Sequence, residues 1–81
     1  MTDEQFKTKY YNPFLETWKI LKLIQYADQT SDSDAQWQRY VKEIDRLRST
    51  YPNNRFVDEL ITLLYNAGDV IAKENRNEMH S

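Results

Sequence analysis

Hydrophobic residues recur at helical spacing along three long segments of the chain. Within each segment apolar side chains return every three or four residues, and no stretch alternates apolar and polar positions for long enough to predict a strand. The three segments are residues 13–28, 33–51 and 54–75. Clusters of turn-forming residues bound them: YNP at 11–13, DQTSDSD at 28–34 and YPNN at 51–54. Because the connections are short, the pattern predicts an all-α fold, an up-down-up antiparallel three-helix bundle.

A short helical leader is predicted ahead of the first long segment. Thr2 followed by Gln5 fits a capping box, so residues 3–11 are expected to begin as a helix. Pro13 lacks a backbone N–H and disfavours helical geometry at Asn12, while Asn12 can cap a new helix that has Pro13 in its first turn. We therefore predict that the leader is broken at Asn12-Pro13.

The first and last long segments carry more apolar surface than one neighbouring helix covers. On a helical wheel the apolar arc spans roughly 220° in the first segment, about 120° in the second and roughly 180° in the third. Phe14, Trp18 and Trp37 fall on these arcs, and we predict them in the core. Two covers are open for the surplus: the leader folding Phe6 and Tyr10 over the first long helix, or a second copy pairing first and last helices across a two-fold axis. We predict a homodimer, since two-fold pairing is the commonest way for small chains to gain core.

Length and composition limit the class of protein. Eighty-one residues make one domain of marginal stability. We assign residues 1–75 to a single helical domain and residues 76–81 to a frayed C-terminal tail, because no apolar period follows Lys73. No Cys is present, which excludes disulfides and thiol chemistry. Neither a signal peptide nor a transmembrane span is visible, so a cytoplasmic protein is expected.

The sequence carries no catalytic or metal-binding motif. The run at 28–34 alternates acidic and polar residues like a calcium loop, but Ser33 stands where glycine is needed and Arg39 where a bidentate Glu is needed. A solvated loop whose Ser33 or Asp34 caps the next helix is the better interpretation. The only histidine, His80, lies in the predicted tail without a scaffold. We predict no catalytic residue, no cofactor and no metal, and hence no enzyme.

A basic stripe follows the solvent side of the second long helix. The stripe consists of Arg39, Lys42 and Arg46. We group Arg55, which opens the following helix, with these three. These cations are a candidate contact for nucleic acid or for an acidic protein surface. Glu43 and Asp45 interrupt the stripe, and the net charge is -2 with 11 basic against 13 acidic residues, so an ordinary solvated face is favoured. Nucleic-acid binding is therefore the alternative hypothesis, and no membrane contact is predicted.

Aromatic and cationic residues outside the core arcs form the predicted protein contact. Tyr26 lies with Leu15 and two lysines on the otherwise polar side of the first long helix. An aromatic beside cations is the composition of interface anchors. The candidate partner-binding residues are Tyr11, Leu15, Lys19, Lys22, Tyr26 and Tyr65.

Three residues around the last helix have predicted local roles. Asn53 or Asn54 is expected to cap that helix after the proline of the YPNN cluster stops the preceding one. Gly68, the only glycine, either permits a close helix contact or weakens its turn by about 1 kcal/mol relative to Ala.

These observations lead to three functional hypotheses. The size of the chain, its lack of a catalytic set and its surplus apolar surface resemble the small accessory or inhibitor proteins of bacteriophages and mobile elements. The leading hypothesis is a non-catalytic helical protein that acts by binding another protein, as a homodimer. The alternatives are a nucleic-acid-binding regulator that uses the basic helix face, and a structural assembly subunit.

Overall fold

Three long helical stretches pack side by side in an elongated bundle. The computed structural model describes residues 1–29 and 33–80, with side chains through residue 78. The elements are α1 (Asp3–Phe6), a π-helical segment (Lys7–Tyr11), α2 (Asn12–Lys22), α3 (Ser33–Thr50) and α4 (Arg55–His80). Helices α2, α3 and α4 contact one another in pairs, and the bundle measures 49 × 21 × 16 Å. No strand occurs in the described ranges, and the predicted all-α three-helix bundle is confirmed.

The N-terminus is closed by the predicted capping box. The Gln5 backbone N–H donates to the Thr2 hydroxyl at 3.1 Å, and the Thr2 N–H donates to the Gln5 side-chain oxygen at 2.8 Å. Two of the free N–H groups at the start of α1 are thereby paired.

The break predicted at Asn12-Pro13 takes another form. Asn12 keeps helical dihedrals, φ -62 and ψ -47, so α1, the π-helical segment and α2 form one continuous helix. The Asn12 N–H bonds to the carbonyl of Lys7, five residues back. A proline ring clashes with the carbonyl four residues before it, and a wider turn upstream of Pro13 relieves that clash without ending the helix.

The core lies along the centre of the bundle, where one stripe of each helix meets the other two. Its buried members are Ile20, Ile24, Ala27, Tyr40, Ile44, Leu47, Val57, Ile61 and Leu64. Trp37 packs partly buried against them, whereas Phe14 and Trp18, also predicted in the core, are exposed. Those two positions lie about 120° and 160° around the helix from Ile20. The two neighbours of α2 cover the Ile20 side and leave the rest of the 220° arc in solvent.

A buried amide joins the C-terminal end of α2 to α4. The Asn75 side chain donates to the carbonyls of Ala27 at 2.7 Å, Gln25 at 3.3 Å and Ile24 at 3.5 Å. These carbonyls follow the last turn of α2, which continues as a series of turns whose N–H groups bond three residues back. One side chain thus bonds to the carbonyls of Gln25 and Ala27 beyond the end of the helix and shares the Ile24 carbonyl with the Ala27 N–H.

Helix α4 continues through His80, five residues into the segment predicted to fray. The Gln29 side-chain amide donates to the carbonyl of Asn75 at 3.2 Å and to the Glu78 carboxylate at 2.9 Å. The Arg76 guanidinium donates to the Ala72 carbonyl at 3.2 Å. Polar contacts hold this part of α4, and they leave no trace in the apolar periodicity on which the prediction rested.

Helices α3 and α4 approach closely at Gly68. A Cβ built at this glycine would lie 3.4 Å from the Trp37 ring and 3.6 Å from the Tyr40 ring. The Tyr40 hydroxyl donates to the carbonyl of Leu64. Burial, and to a smaller extent the neighbouring Tyr65, raises the pKa of Tyr40 from 10.0 to about 12. A Cβ at these distances from the two rings would make ordinary van der Waals contact, so the helices lie close together at Gly68 without requiring a glycine there.

The turn between α3 and α4 is mainly a hinge. The Val57 N–H donates to the Asn54 side-chain oxygen at 3.2 Å, so Asn54 is the cap of the two residues predicted for that role. Asn53 has φ 57, the left-handed conformation that Asn tolerates well. Beyond the turn, the Phe56 ring packs edge-on against Tyr10 with ring centroids 5.0 Å apart. That contact ties the leader to the start of α4.

Candidate protein-binding face

Helices α2 and α4 run side by side in the same direction. The Tyr10–Phe56 contact joins their N-terminal ends, and the bonds from Asn75 to Gln25 and Ala27 join their C-terminal ends. Helix α3 packs from one side only, through Trp37 and Tyr40 against the Gly68 side of α4. The opposite side of the α2–α4 pair therefore has no helix of this chain over it among the described residues.

Large apolar side chains are exposed on that uncovered side. Phe14 and Trp18 of α2 are 60% and 55% exposed, and Leu63 and Val70 of α4 are 49% and 55% exposed. Single exposed apolar residues are ordinary, but a contiguous group is uncommon on a monomer and marks an interaction surface.

Two shallow grooves place Trp18, Leu63 and Val70 on one surface, and Phe14 lies one turn before Trp18 on the same side of α2. The first lies between the helices and is lined by Trp18, Leu21, Lys22, Gln25, Ile71, Glu74 and Asn75. The second runs along α4 and includes Phe56, Glu59, Leu60, Leu63, Ala67 and Val70. Ala67, Ile71 and Glu74 follow one another at four and three residues, so the grooves share one side of α4. We call the apolar surface made by Phe14, Trp18, Leu21, Leu63, Ala67, Val70 and Ile71 the α2–α4 face.

The sequence carries two signals for this face besides the width of the apolar arcs. In α4 the residues on this side alternate at four and three: Phe56, Leu60, Leu63, Ala67, Val70 and Glu74. This is the spacing of a helix that packs against another helix along a seam. Aromatics also recur every four residues at Phe6, Tyr10, Phe14 and Trp18. Each row was visible beforehand, but which side of each helix the bundle would cover was not.

Charged residues stand at the two ends of the α2–α4 face. Glu59 lines the groove near the N-terminal end of α4, and Lys22 and Glu74 line the groove at the C-terminal end. All three side chains are exposed. Charges at the rim of an apolar patch set partner orientation more than affinity.

The leader does not fold over the first long helix, as one of the two predicted covers required. It continues the axis of α2, with Phe6 stacked on Tyr10 at 4.9 Å and Tyr10 on Phe56 at 5.0 Å. Phe6 itself is exposed. The leader therefore contacts Phe56, beyond the N-terminal end of the face, and leaves Trp18 and Val70 open.

The six predicted partner-binding residues do not form one surface. Four of them lie on the outward side of the α1–α2 helix, namely Tyr11, Leu15, Lys19 and Lys22, and Tyr26 lies in the series of turns that follows it. Of these five, Lys22 borders the α2–α4 face, Lys19 pairs with Glu16 at 3.7 Å, and Leu15 is half-buried. Tyr65 lies on α4 beside Tyr40 of α3.

The predicted basic contact is interleaved with acids. Arg39, Lys42 and Arg46 are exposed on α3, and Arg46 pairs with Glu43 at 3.5 Å. Arg39 and Arg46 share a shallow groove with Glu16, Lys19 and Glu43. Arg55 lies apart at the start of α4, in a hollow with Lys9 and Tyr10. Paired acids reduce the positive potential that phosphate binding requires.

Metal-binding side chains are not grouped in the part of the chain that the structure describes. Among the side chains of residues 1–29 and 33–78, no three His, Cys, Asp or Glu gather into a metal site. Ser33, named as a cap for α3, accepts a hydrogen bond from the Asp28 N–H at 2.7 Å. Residues 30–32 of the calcium-like run and the side chain of His80 lie outside the described part. No helix there is long and apolar enough to cross a membrane.

Comparison with known proteins finds no match: no protein-family model, no curated protein and no solved structure is significantly similar to this chain.

Proposed function

We propose that this chain is a non-catalytic protein that acts by protein–protein binding, and that its contact surface is the α2–α4 face. The observation that carries the proposal is the exposure of Phe14, Trp18, Leu63 and Val70 on one side of two adjacent helices. Exposing the apolar surface of these four side chains to water costs a free energy of about 25 cal/mol per Å², so covering them favours association. The occupant we propose is a second copy of the chain, which makes the protein a homodimer.

The dimensions of the face fit a dimer of moderate affinity. Together with the grooves that border it, the α2–α4 face runs from Leu60 to Glu74 of α4, about 21 Å at the rise of an α-helix. Two helices lying roughly 9 Å apart make it roughly 20 Å wide. An area on the order of 500 Å² per copy lies below the roughly 800 Å² per partner of a stable interface. We therefore expect dissociation constants in the micromolar range.

Light scattering coupled to size-exclusion chromatography tests the proposal directly. The wild-type chain is expected to shift from monomer to dimer as its concentration rises through the micromolar range. Leu63→Glu or Val70→Glu places a charge at the centre of the face and should weaken dimerisation at least about tenfold, since an interface cannot bury an unpaired carboxylate. Both positions are already exposed, so circular dichroism should show an unchanged helix content.

Val41→Glu is the matched control. Val41 is an apolar residue of similar exposure, at 44%, but it lies on α3 and outside the α2–α4 face. This variant should dimerise like the wild type. A chain that is monomeric at every concentration up to the millimolar range, or equal effects of Val70→Glu and Val41→Glu, would contradict the proposal.

A further inference from the structure

We infer that two copies pair about a two-fold axis that runs along the helices, so that α2 of each copy lies on α4 of the other and all four helices point the same way. The inference rests on the proposed function, because it names how the second copy occupies the α2–α4 face. Two isologous arrangements of this face are geometrically available. One is the arrangement just described. The other has its two-fold axis across the helices, which places α2 on α2 and α4 on α4 in opposite directions.

The charges at the ends of the face separate the two arrangements. With the axis across the helices, the N-terminal end of α4 meets the C-terminal end of its copy, so Glu59 lies against the partner's Glu74, twice in each dimer. With the axis along the helices, like ends meet and Lys22 lies against the partner's Glu74. Opposed carboxylates oppose association, and alternating Lys and Glu favour it.

The shapes of the two rows lead to the same arrangement. The α2 row presents bulky aromatics, Phe14 and Trp18, while the α4 row presents Leu63, Ala67 and Val70. Trp18 and Ala67 lie near the same level, because Tyr10 is level with Phe56 and Gln25 with Asn75. When α2 lies on α4, each Trp18 covers the small side chain at 67. When like helices meet, aromatics oppose aromatics and hold the α4 pair apart, which leaves voids that close-packed interfaces do not tolerate.

Disulfide trapping tests the arrangement, and the absence of cysteine from the chain makes every introduced thiol unique. Gln25→Cys and Glu74→Cys are made in separate chains, one carrying a mass tag, and the two are mixed and mildly oxidised. A Gln25–Glu74 disulfide between the chains requires α2 of one copy on α4 of the other at the same end, because disulfides form only between Cα atoms about 4 to 7 Å apart. Ala67→Cys alone is the control for the other arrangement. Its thiol can form a disulfide with the same position of the second copy only when α4 lies on α4.

We expect the mixed chains to form the covalent heterodimer and Ala67→Cys to remain unlinked. Rapid self-linking of Ala67→Cys, or a dimeric mass without the Gln25–Glu74 link, would overturn this arrangement while leaving the proposed function in place. A monomeric mass for the wild-type chain at all concentrations would overturn both. As a control, the chains are also oxidised under denaturing conditions. A heterodimer band that forms only on native oxidation does not come from random collision.

Discussion

Removing the Asn75 side chain should destabilise the bundle strongly, although this residue lies in a segment without apolar periodicity. Its amide is buried and faces the carbonyls of Ala27, Gln25 and Ile24 at 2.7, 3.3 and 3.5 Å. One amide carries two N–H donors, so it supplies at most two full hydrogen bonds at a time. In Asn75→Ala the carbonyls of Gln25 and Ala27 lose this buried donor, and losing a buried hydrogen bond of this kind costs about 1–3 kcal/mol each. The Ile24 carbonyl keeps the N–H of Ala27 at 3.1 Å.

The expected loss is therefore about 2–4 kcal/mol in the free energy of unfolding. An 81-residue domain has a total stability of roughly 4–12 kcal/mol, so this one side chain accounts for about a third of it. Asn75→Asp keeps the size of the side chain but replaces both donors with acceptors. It should be at least as damaging at neutral pH, which distinguishes lost hydrogen bonds from lost packing.

Urea unfolding followed by circular dichroism measures both variants. All samples share one protein concentration, because dimerisation changes apparent stability by mass action. Asn77→Ala, an exposed position two residues further along α4, is the control and should change stability by less than about 0.5 kcal/mol. Equal stabilities of Asn75→Ala and Asn77→Ala would refute the assignment of Asn75 as the cap of α2.

Three further predictions concern packing, ionisation and capping. Gly68→Leu should lose about 1–3 kcal/mol by overpacking against Trp37, whereas Gly68→Ala, whose Cβ reaches only van der Waals contact at 3.4 Å, should be neutral or gain up to about 1 kcal/mol in helix propensity. Thermal unfolding of the pair checks this, and an Ala variant as unstable as the Leu variant would contradict it. Because the folded-state pKa of Tyr40 is raised to about 12, its stabilising contribution is complete below pH 10 and is lost between pH 10 and 12, at about 1.4 kcal/mol per pH unit. The urea midpoint of the wild type should fall across that window more steeply than that of Tyr40→Phe, and parallel profiles would exclude the effect. Asn54→Ala should lose about 1 kcal/mol by freeing the Val57 N–H while leaving dimerisation unchanged in light scattering; a changed dissociation constant would place the turn in the interface.

The all-α architecture was predictable because the apolar spacing of each helix and the turn chemistry between helices agree. Ile44 and Leu47 lie on an apolar stripe of ordinary width, and a stripe of that width is buried when it faces the centre of the bundle. Thr2 and Asn54 were likewise readable, because a cap depends on residues only three positions away.

The features that differ from the sequence prediction share a physical cause, because each depends on neighbours that are distant in sequence. Trp18 lies on an apolar arc, but the number of helices that pack on α2 decides how much of that arc is buried. Asn75 looks like a residue of a polar tail until the carbonyls after α2 are brought beside it from 48 to 51 positions away. Exposure of Leu63 but burial of Leu64 similarly follows from where α3 lies, and not from either side chain.

The π-helical segment acts as a phase adjustment within the first long helix. In a regular α-helix a four-residue step overshoots one turn by about 40°, so three such steps from Phe6 to Trp18 would drift about 120° around the axis. Hydrogen bonds to the fifth residue back lengthen the turn over Lys7–Tyr11 and absorb part of that drift. If the same residues adopted regular α-helical geometry instead, Phe6 would rotate away from the side of the helix that Phe14 and Trp18 share. The π-helical segment therefore sets the direction in which the leader's aromatic side chains point as well as the length of the leader. The aromatic row depends on a residue that a regular helix would not need.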